Sequence, residues 1–169
     1  MKLFNTLFLF FIVNSILAQH EPGAWVVGVQ GAAKVDRISD VGGSFQVHYA
    51  PNCYSTYIAE VGVLNTKDGI VPELGITINS IMFNFQSWMI TGGMGFIMNS
   101  AELSKKEQDD AIFAFSDGKN SFGALLKIRT LVPINKWWQL SSAFNFKSVG
   151  GKFSTVTLGI IYEFPLKGY

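Results

Sequence analysis

Cysteine, charge and histidine are all scarce in this chain of 169 residues. The single cysteine, Cys53, cannot form a disulfide within the chain and is interpreted as a structural residue. Charged residues make up 15% of the sequence, against about 25% in typical soluble domains. The 13 basic and 12 acidic side chains nearly cancel, which excludes the broadly basic surface that nucleic-acid binding requires.

Long hydrophobic runs are also missing beyond the N-terminus, where no stretch reaches the roughly 18 apolar residues of a transmembrane helix. Residues 1–18, MKLFNTLFLFFIVNSILA, combine the basic Lys2, an apolar run and a small residue before Gln19. This pattern predicts a secretory signal peptide cleaved before Gln19, which leaves a mature domain of residues 19–169. Without apolar helices, such a domain can span a membrane only as a closed β-barrel, because lipid cannot bond free backbone groups.

Aromatic residues (14%) and glycines (17 residues) are abundant, and apolar and polar positions alternate along the chain. Alternation with a period of two is typical of strands that present different side chains to their two faces. Most segments are close to the 9–11 residues, roughly, that a tilted strand needs to cross a bilayer. We predict eight strands at residues 24–32, 43–50, 55–64, 73–83, 87–98, 121–132, 137–148 and 152–164.

The connections between these strands alternate in character. APNCYS, FNFQS and PINK are short, whereas AKVDRISDVG, NTKDGIVPE and NSAELSKKEQDDAIFAFSDGKN are longer and charged, and the last connection, SVGG, is short. Outer-membrane barrels have this asymmetry, with short periplasmic turns and longer external loops. We expect the longest connection, Asn99 to Asn120, to be external and to contact a partner. Within it, SKKE, Ser104 to Glu107, fits a capping box and predicts a short helix that begins at Lys105. Alternatively, the apolar Ala111 to Phe115 extends the sixth strand and pairs with it.

Each predicted strand has one apolar face and one small or polar face. INKWWQLSSAFNF, residues 134–146, shows the pattern, because bulky apolar residues alternate with Gln139, Ser141 and Asn145. The fourth strand departs from it, since Ile78 and Ile81 fall in opposite phases, and a β-bulge near residues 79–80 is expected.

Aromatic rings gather at the strand ends beside the short connections. Amphipathic rings collect at one level where a barrel crosses the membrane interface, so the apolar face is predicted to face lipid. The alternative is a soluble lipocalin-like lipid carrier with its apolar face inside, but its exterior would then be rich in glycine and poor in charge. The predicted aromatic girdle consists of Trp25, Tyr49, Tyr57, Trp88, Trp138, Tyr162 and Phe164, and a weaker ring near the long connections consists of Phe45, Phe96, Phe122, Phe146 and Phe153.

The export signal, the strand count, the turn PINKWW and the ending TVTLGIIYEF resemble the small eight-stranded outer-membrane proteins of the OmpX and OmpA-transmembrane-domain type. They are also similar to the outer membrane β-barrel domain proteins of Bacteroidota. The resemblance covers residues 19–169 and implies an all-β, eight-stranded antiparallel up-and-down transmembrane β-barrel in a Gram-negative outer membrane. It also implies assembly by the barrel-assembly machinery through a C-terminal aromatic residue, either Phe164 or Tyr169.

Some barrels of this type modify lipid A with His and Ser near the outer leaflet. The chain has two histidines, His20 in the N-terminal tail and His48 at the short-turn end of the second strand. Neither is predicted at the outer rim, and no serine has an evident base, so a lipid A-modifying acyl hydrolase or transferase is the less favoured alternative. No cofactor is expected, and the histidine spacing does not suggest a metal site.

Four ionisable side chains are predicted to face inward from the strands: Glu60, Lys127, Arg129 and Glu163. Buried charges must pair, and an eight-stranded barrel is just wide enough to be filled by side chains. The sequence therefore predicts a lumen charge cluster in a plugged polar interior, with a narrow channel for small solutes as the alternative. The predicted function is non-enzymatic, structural or adhesive through the external loops.

Overall fold

The computed structural model describes residues 20–67, 69–85, 87–100, 115–117, 120–149 and 154–164. These residues form β-strands and connections, and they contain no helix long and apolar enough to cross a membrane. The strands are β1 (Trp25–Lys34), β2 (Val41–Tyr49), β3 (Ser55–Thr66), β4 (Gly69–Asn84), β5 (Met89–Asn99), β6 (Phe115–Ser116), β7 (Ser121–Pro133), β8 (Trp138–Lys147) and β9 (Thr155–Glu163).

Eight of these strands close into a barrel in which every pairing is antiparallel. The hydrogen-bonded order is β5-β4-β3-β2-β1-β9-β8-β7, and pairing of β5 with β7 closes the ring. Strand β6 alone stands outside this ring. The result confirms the predicted all-β, eight-stranded antiparallel up-and-down barrel. Of the described residues between strands, 50–54, 85, 87–88 and 134–137 lie at one end, the short-turn end, and 35–40, 67, 100, 117, 120, 148–149 and 154 lie at the other, the long-loop end.

Side chains alternate between the outside and the inside of the barrel as predicted. In β9, for example, Val156 and Leu158 are exposed on the outer face, whereas Thr155 and Thr157 are buried in the interior. β-Branched and aromatic residues favour β-strands. Here these residues also form the apolar outer face of the barrel. The polar face is therefore turned inward, which is the reverse of a soluble barrel.

The bulge in β4 lies later than predicted. The register with β5 pairs Ile81 with Thr91 and Phe83 with Ile90, so Met82 is the extra residue, and no shift occurs at residues 79–80. Ile81 keeps its inward phase and packs against a buried apolar cluster inside the barrel. The bulge then returns Phe83 to the outer face, where its ring is exposed.

The third connection is much shorter than the sequence suggested. Strand β3 continues to Thr66 and β4 begins at Gly69, so much of NTKDGIVPE belongs to strands and only residues 67–68 separate them. The hydroxyl of Thr66 donates a 2.8 Å hydrogen bond to the carbonyl of Gly69, whose φ is 131°. An Asp-Gly pair favours such a tight hairpin, because glycine adopts positive φ without a steric cost.

Strand β6 forms a hairpin with the start of β7. Phe115 pairs with Phe122 and Ser116 with Ser121, and the backbone N–H of Asn120 donates a 2.6 Å hydrogen bond to Asp117 Oδ1. The segment Ala111 to Phe115 was predicted to pair with the sixth barrel strand, which is β7. The structure shows this pairing at the last residue of the segment, Phe115. Residues 101–114 lie outside the described part of the chain.

Glycines allow the inner faces of neighbouring strands to approach closely. A Cβ added at Gly95 in β5 would overlap the backbone oxygen of Ile76 in β4. Gly31 in β1 lies on the outer face, and its nearest neighbour would be the carbonyl oxygen of Leu158 at 3.8 Å, which is ordinary contact. The two glycines therefore differ in steric tolerance.

We predict that Gly95→Ala lowers the free energy of unfolding by about 1–3 kcal/mol, because the strand pair must separate to admit the methyl group. Gly31→Ala should change it by less than about 0.5 kcal/mol. Urea unfolding of the protein in lipid vesicles measures both. Equal effects of the two substitutions would show that the β4–β5 approach is not tight.

Candidate functional site

The predicted girdle residues lie at the short-turn end, in or directly beside the strand ends there. Trp25 and Tyr49 stand on neighbouring strands with ring centroids 5.0 Å apart, and the centroids of Trp138 and Tyr162 are 4.8 Å apart. Phe164 meets the Tyr162 ring edge-on, with centroids 5.2 Å apart. The Trp25 side chain is 53% exposed and that of Trp138 45% exposed, so the rings form an outward belt.

Above this belt the outer face of the barrel is apolar. The exposed residues include Val29, Ile76, Met94, Leu126 and Leu158, on five different strands. Contiguous apolar surface of this extent is unfavourable in water and is the normal surface of a barrel in hydrocarbon. The residues of the weaker ring, Phe45, Phe96, Phe122 and Phe146, are likewise exposed, and Phe153 lies outside the described residues.

An ion pair crosses the middle of the lumen. Lys127 on β7 is 1% exposed, and its Nζ donates a hydrogen bond to Glu60 Oε2 on β3. Two strands separate β3 from β7 in the barrel order, so the bond spans the interior rather than one ladder. The structure thus brings these two predicted residues together.

Arg129 lies in the same interior but has different partners. Its Nη2 donates to Gln46 Oε1 at 2.8 Å, and its Nη1 lies 3.4 Å from His48 Nε2. Gln46 Oε1 also accepts a hydrogen bond from Gln30 Nε2 at 3.2 Å. Arg129 and Gln46 stand on opposite walls of the barrel, so this network also crosses the lumen.

Glu163 does not join the predicted charge cluster. Its Oε2 lies 2.7 Å from His20 Nδ1, and its Oε1 accepts a 3.0 Å hydrogen bond from the backbone N–H of Glu21. The segment before β1 therefore folds across the short-turn mouth, where Gly23, at φ 83°, donates its N–H to the carbonyl of Ala50. Strand periodicity could not reveal this pair, because His20 precedes the first strand.

An apolar layer near the short-turn end was not anticipated. Val26, Met89, Leu131 and Ile161 are buried together inside the barrel, with Ile81 packed against them. The four buried residues occupy the inward phase of predicted strands, and Ile81 is also in the inward phase because the bulge in β4 follows it. Reading every inward position, and not only the polar ones, would have found the layer.

Two further charge clusters lie toward the long-loop end. Lys147 Nζ donates to both carboxylate oxygens of Glu73, at 2.8 and 2.7 Å. Lys34 Nζ lies 3.7 Å from Asp36 and 3.8 Å from Asp40. Lys147 lies two residues after Asn145 on the same inward face of β8. The predicted alternation therefore already places Lys147 inside the barrel, where it bonds Glu73.

The spaces left in the interior are small. One cavity of about 20 Å³ lies between Glu60, Glu73 and Lys147, and another of about 10 Å³ lies beside His48 and Arg129. Cavities of this size hold about one water molecule each. Such an interior does not fit a lipid carrier, which needs a larger apolar cavity. Within the described residues, no group of three or more His, Cys, Asp or Glu side chains is arranged to hold a metal ion.

No family model matches the sequence, and neither does any curated protein. The N-terminal β-barrel domain of Pseudomonas aeruginosa OprF is similar in structure, with a TM-score of 0.64 at 8% identity over 85% of this chain and 98% of that one. A de novo designed transmembrane β-barrel is similar with a TM-score of 0.63 and 15% sequence identity, over 87% of this chain and 100% of the designed one. A third similar structure is that of Ail, the attachment invasion locus protein of Yersinia pestis, in complex with the heparin analogue sucrose octasulfate. Its TM-score is 0.56 at 12% sequence identity, over 85% of this chain and 100% of that one. The fold is that of the small eight-stranded outer-membrane barrels.

We predict that Glu60→Ala lowers the free energy of unfolding by roughly 3–5 kcal/mol, because it leaves the buried Lys127 ammonium without its partner. Adding Lys127→Met should recover part of this loss, since the uncompensated charge is then removed. Lys67→Met, at an exposed turn, is the control and should have little effect. An unchanged urea midpoint for Glu60→Ala would mean that Glu60 does not face a closed lumen.

Proposed function

We propose that this chain is an outer-membrane protein that spans the bilayer as this barrel and acts without catalysis, through the loops at its long-loop end. The observation that carries the proposal is the apolar outer face, which is bounded by a belt of rings at the short-turn end. A closed ladder leaves no strand edge with free backbone groups, which is the condition for spanning lipid. The structural similarity to outer-membrane barrels supports the same location.

The proposal includes an orientation and an export route. Short connections would face the periplasm and long connections the outside, as is usual in barrels of this kind. Residues 1–18 would be removed before Gln19 by a signal peptidase, leaving the mature domain 19–169. Residues 1–19 lie outside the described part of the chain, so this step rests on the sequence.

Assembly by the barrel-assembly machinery is part of the same proposal. Strand β9 ends at Glu163, and Phe164 follows on the outer face, beside the Tyr162 ring. This placement favours Phe164 as the aromatic residue of the assembly signal. Tyr169 falls among the residues beyond 164 that are not described.

The proposed absence of catalysis is supported by what the histidines do. His20 is bonded to Glu163, and His48 Nε2 lies 3.0 Å from Gln46 Oε1 in the interior network. Both rings lie in the short-turn half of the barrel, away from the leaflet where a lipid A-modifying enzyme would work. A nucleophile needs a base within hydrogen-bond reach, and these two rings already have other partners.

We further propose that the interior is a plug rather than a channel. A solute would have to break the Lys127–Glu60 and Lys147–Glu73 pairs, both of which cross the lumen. Removing one charge from its buried partner is costly, so a stable open state is unfavourable. The small size of the two cavities supports the same conclusion.

The contact surface is proposed to be the connection from Asn99 to Asn120. The β6–β7 hairpin anchors its C-terminal part on the barrel and exposes the rings of Phe115 and Phe122. Between Glu102 and Asp117 the chain has five acidic and two basic residues. This excess of negative charge favours a basic protein partner over a polyanion of the kind bound to Ail.

We predict that the protein sediments with outer membranes and migrates faster on SDS gels unboiled than boiled, because the closed ladder resists detergent. Mass spectrometry of the folded form should show a chain that begins at Gln19. A soluble protein released with the periplasm would contradict the membrane proposal. Met1 in the membrane-inserted form would contradict cleavage alone.

We predict that replacing residues 101–114 with a short Gly-Ser linker leaves membrane insertion and heat-modifiability intact, since the barrel strands remain. Adherence of cells expressing this variant to surfaces coated with a basic protein should fall to the level of cells without the protein. Replacement of the exposed residues 37–39 by a Gly-Ser segment of equal length, which keeps Asp36 and Asp40, is the control.

Two results would contradict different parts of the proposal. Undiminished adherence of the linker variant would remove the contact surface from this loop. Failure of the variant to assemble would show that residues 101–114 belong to the barrel wall.

A further inference from the structure

Arg129 differs from the other buried cations of the interior. Lys127 and Lys147 each donate to a carboxylate, whereas Arg129 forms no ion pair with any described residue. Its side chain is only 2% exposed, and the groups it touches, Gln46 and His48, belong to the hydrogen-bond network described above. A buried charge is costly without an opposite charge nearby. Glu60 acts electrostatically on Arg129 as well but is bonded to Lys127, so one carboxylate serves two cations and the middle of the lumen has an excess of positive charge.

The hydrogen-bonding groups of this cluster are also incompletely satisfied. Arg129 Nε and His48 Nδ1 are fully buried and have no hydrogen-bond partner in the described structure. Buried polar atoms without a partner are rare in native proteins. An arginine Nε–H can only donate, so its missing partner must be an acceptor.

A small cavity lies beside these two residues. Arg129, His48 and Thr91 line it, together with Asn52 and Cys53 from the turn between β2 and β3, and its volume is about 10 Å³. This leaves room for one water molecule or one small monatomic ion, and too little for sulfate, phosphate or a carboxylate.

We propose that this cavity binds a single halide ion, chloride in physiological media. The ion accepts a hydrogen bond from Arg129 Nε–H and lies within reach of the Thr91 hydroxyl. A water molecule would satisfy the donor but leave the arginine charge uncompensated, whereas a halide does both. The inference depends on the closed barrel alone and not on the proposed function.

The test uses the full mature chain folded in detergent micelles, with bromide as the probe. Crystals grown in sodium bromide should show an anomalous peak inside the barrel beside Arg129. In solution, sodium chloride should raise the urea midpoint above that in sodium gluconate at equal ionic strength. The rise should saturate with chloride concentration, because a ligand that binds only the folded state stabilises it by mass action.

Two variants assign the effect to its residue. Arg129→Gln should abolish the chloride-dependent shift, because the charge and the Nε–H are both removed. The double variant Lys147→Gln with Glu73→Gln removes an interior charge pair elsewhere and should keep the shift. A chloride effect that survives in Arg129→Gln, or is lost in the double variant, would overturn the proposal. If Arg129→Gln does not fold, the bromide map of the unaltered protein decides, and a map without a peak at Arg129 rejects the site.

Discussion

Closure of the strand ladder is the constraint on which the rest of the structure depends. Pairing of β1 with β9 and of β5 with β7 gives each barrel strand two partners, so no strand edge is left for lipid to meet. With eight strands, closure also sets a narrow lumen that side chains fill. Because the pleat alternates, one choice of phase then assigns each strand residue to the outer face or to this narrow space.

The narrow lumen determines how the interior is stabilised. An apolar face turned outward leaves little apolar material inside, where the described residues form two buried apolar clusters, the short-turn layer around Met89 and a second one of Ile97, Leu125 and Val149. Between and beyond them, bonds across the lumen connect strands that are not neighbours, as Lys127–Glu60 and Lys147–Glu73 do. Such bonds oppose flattening of the barrel, which ladder pairing alone does not prevent.

The parts of the fold that follow from the alternation of apolar and polar residues along each strand could be predicted from the sequence. Strand positions, the outward face and the location of the rings follow from alternation, which needs only neighbouring residues. The position of the bulge at Met82 could not be predicted in this way, because it depends on how β4 packs against β5. The Glu163–His20 pair could not be predicted either, because His20 lies outside any strand. The short β3–β4 hairpin had a local signal in its Asp-Gly pair, which was outweighed by the charges around it. The Glu73–Lys147 pair was readable from the same alternation.

The division between interior and loops also explains where function can change. A substitution at Gln46 or Arg129 disturbs partners on the opposite wall, so interior residues are tied to one another across the barrel. The described part of the β6–β7 hairpin lies at the end of β7, above the point where β8 begins to pair at Leu125. An exposed residue there, such as Phe115, can vary without altering the lumen. This separation supports the proposal that the loops act at the surface while the side chains that cross the lumen keep the barrel closed.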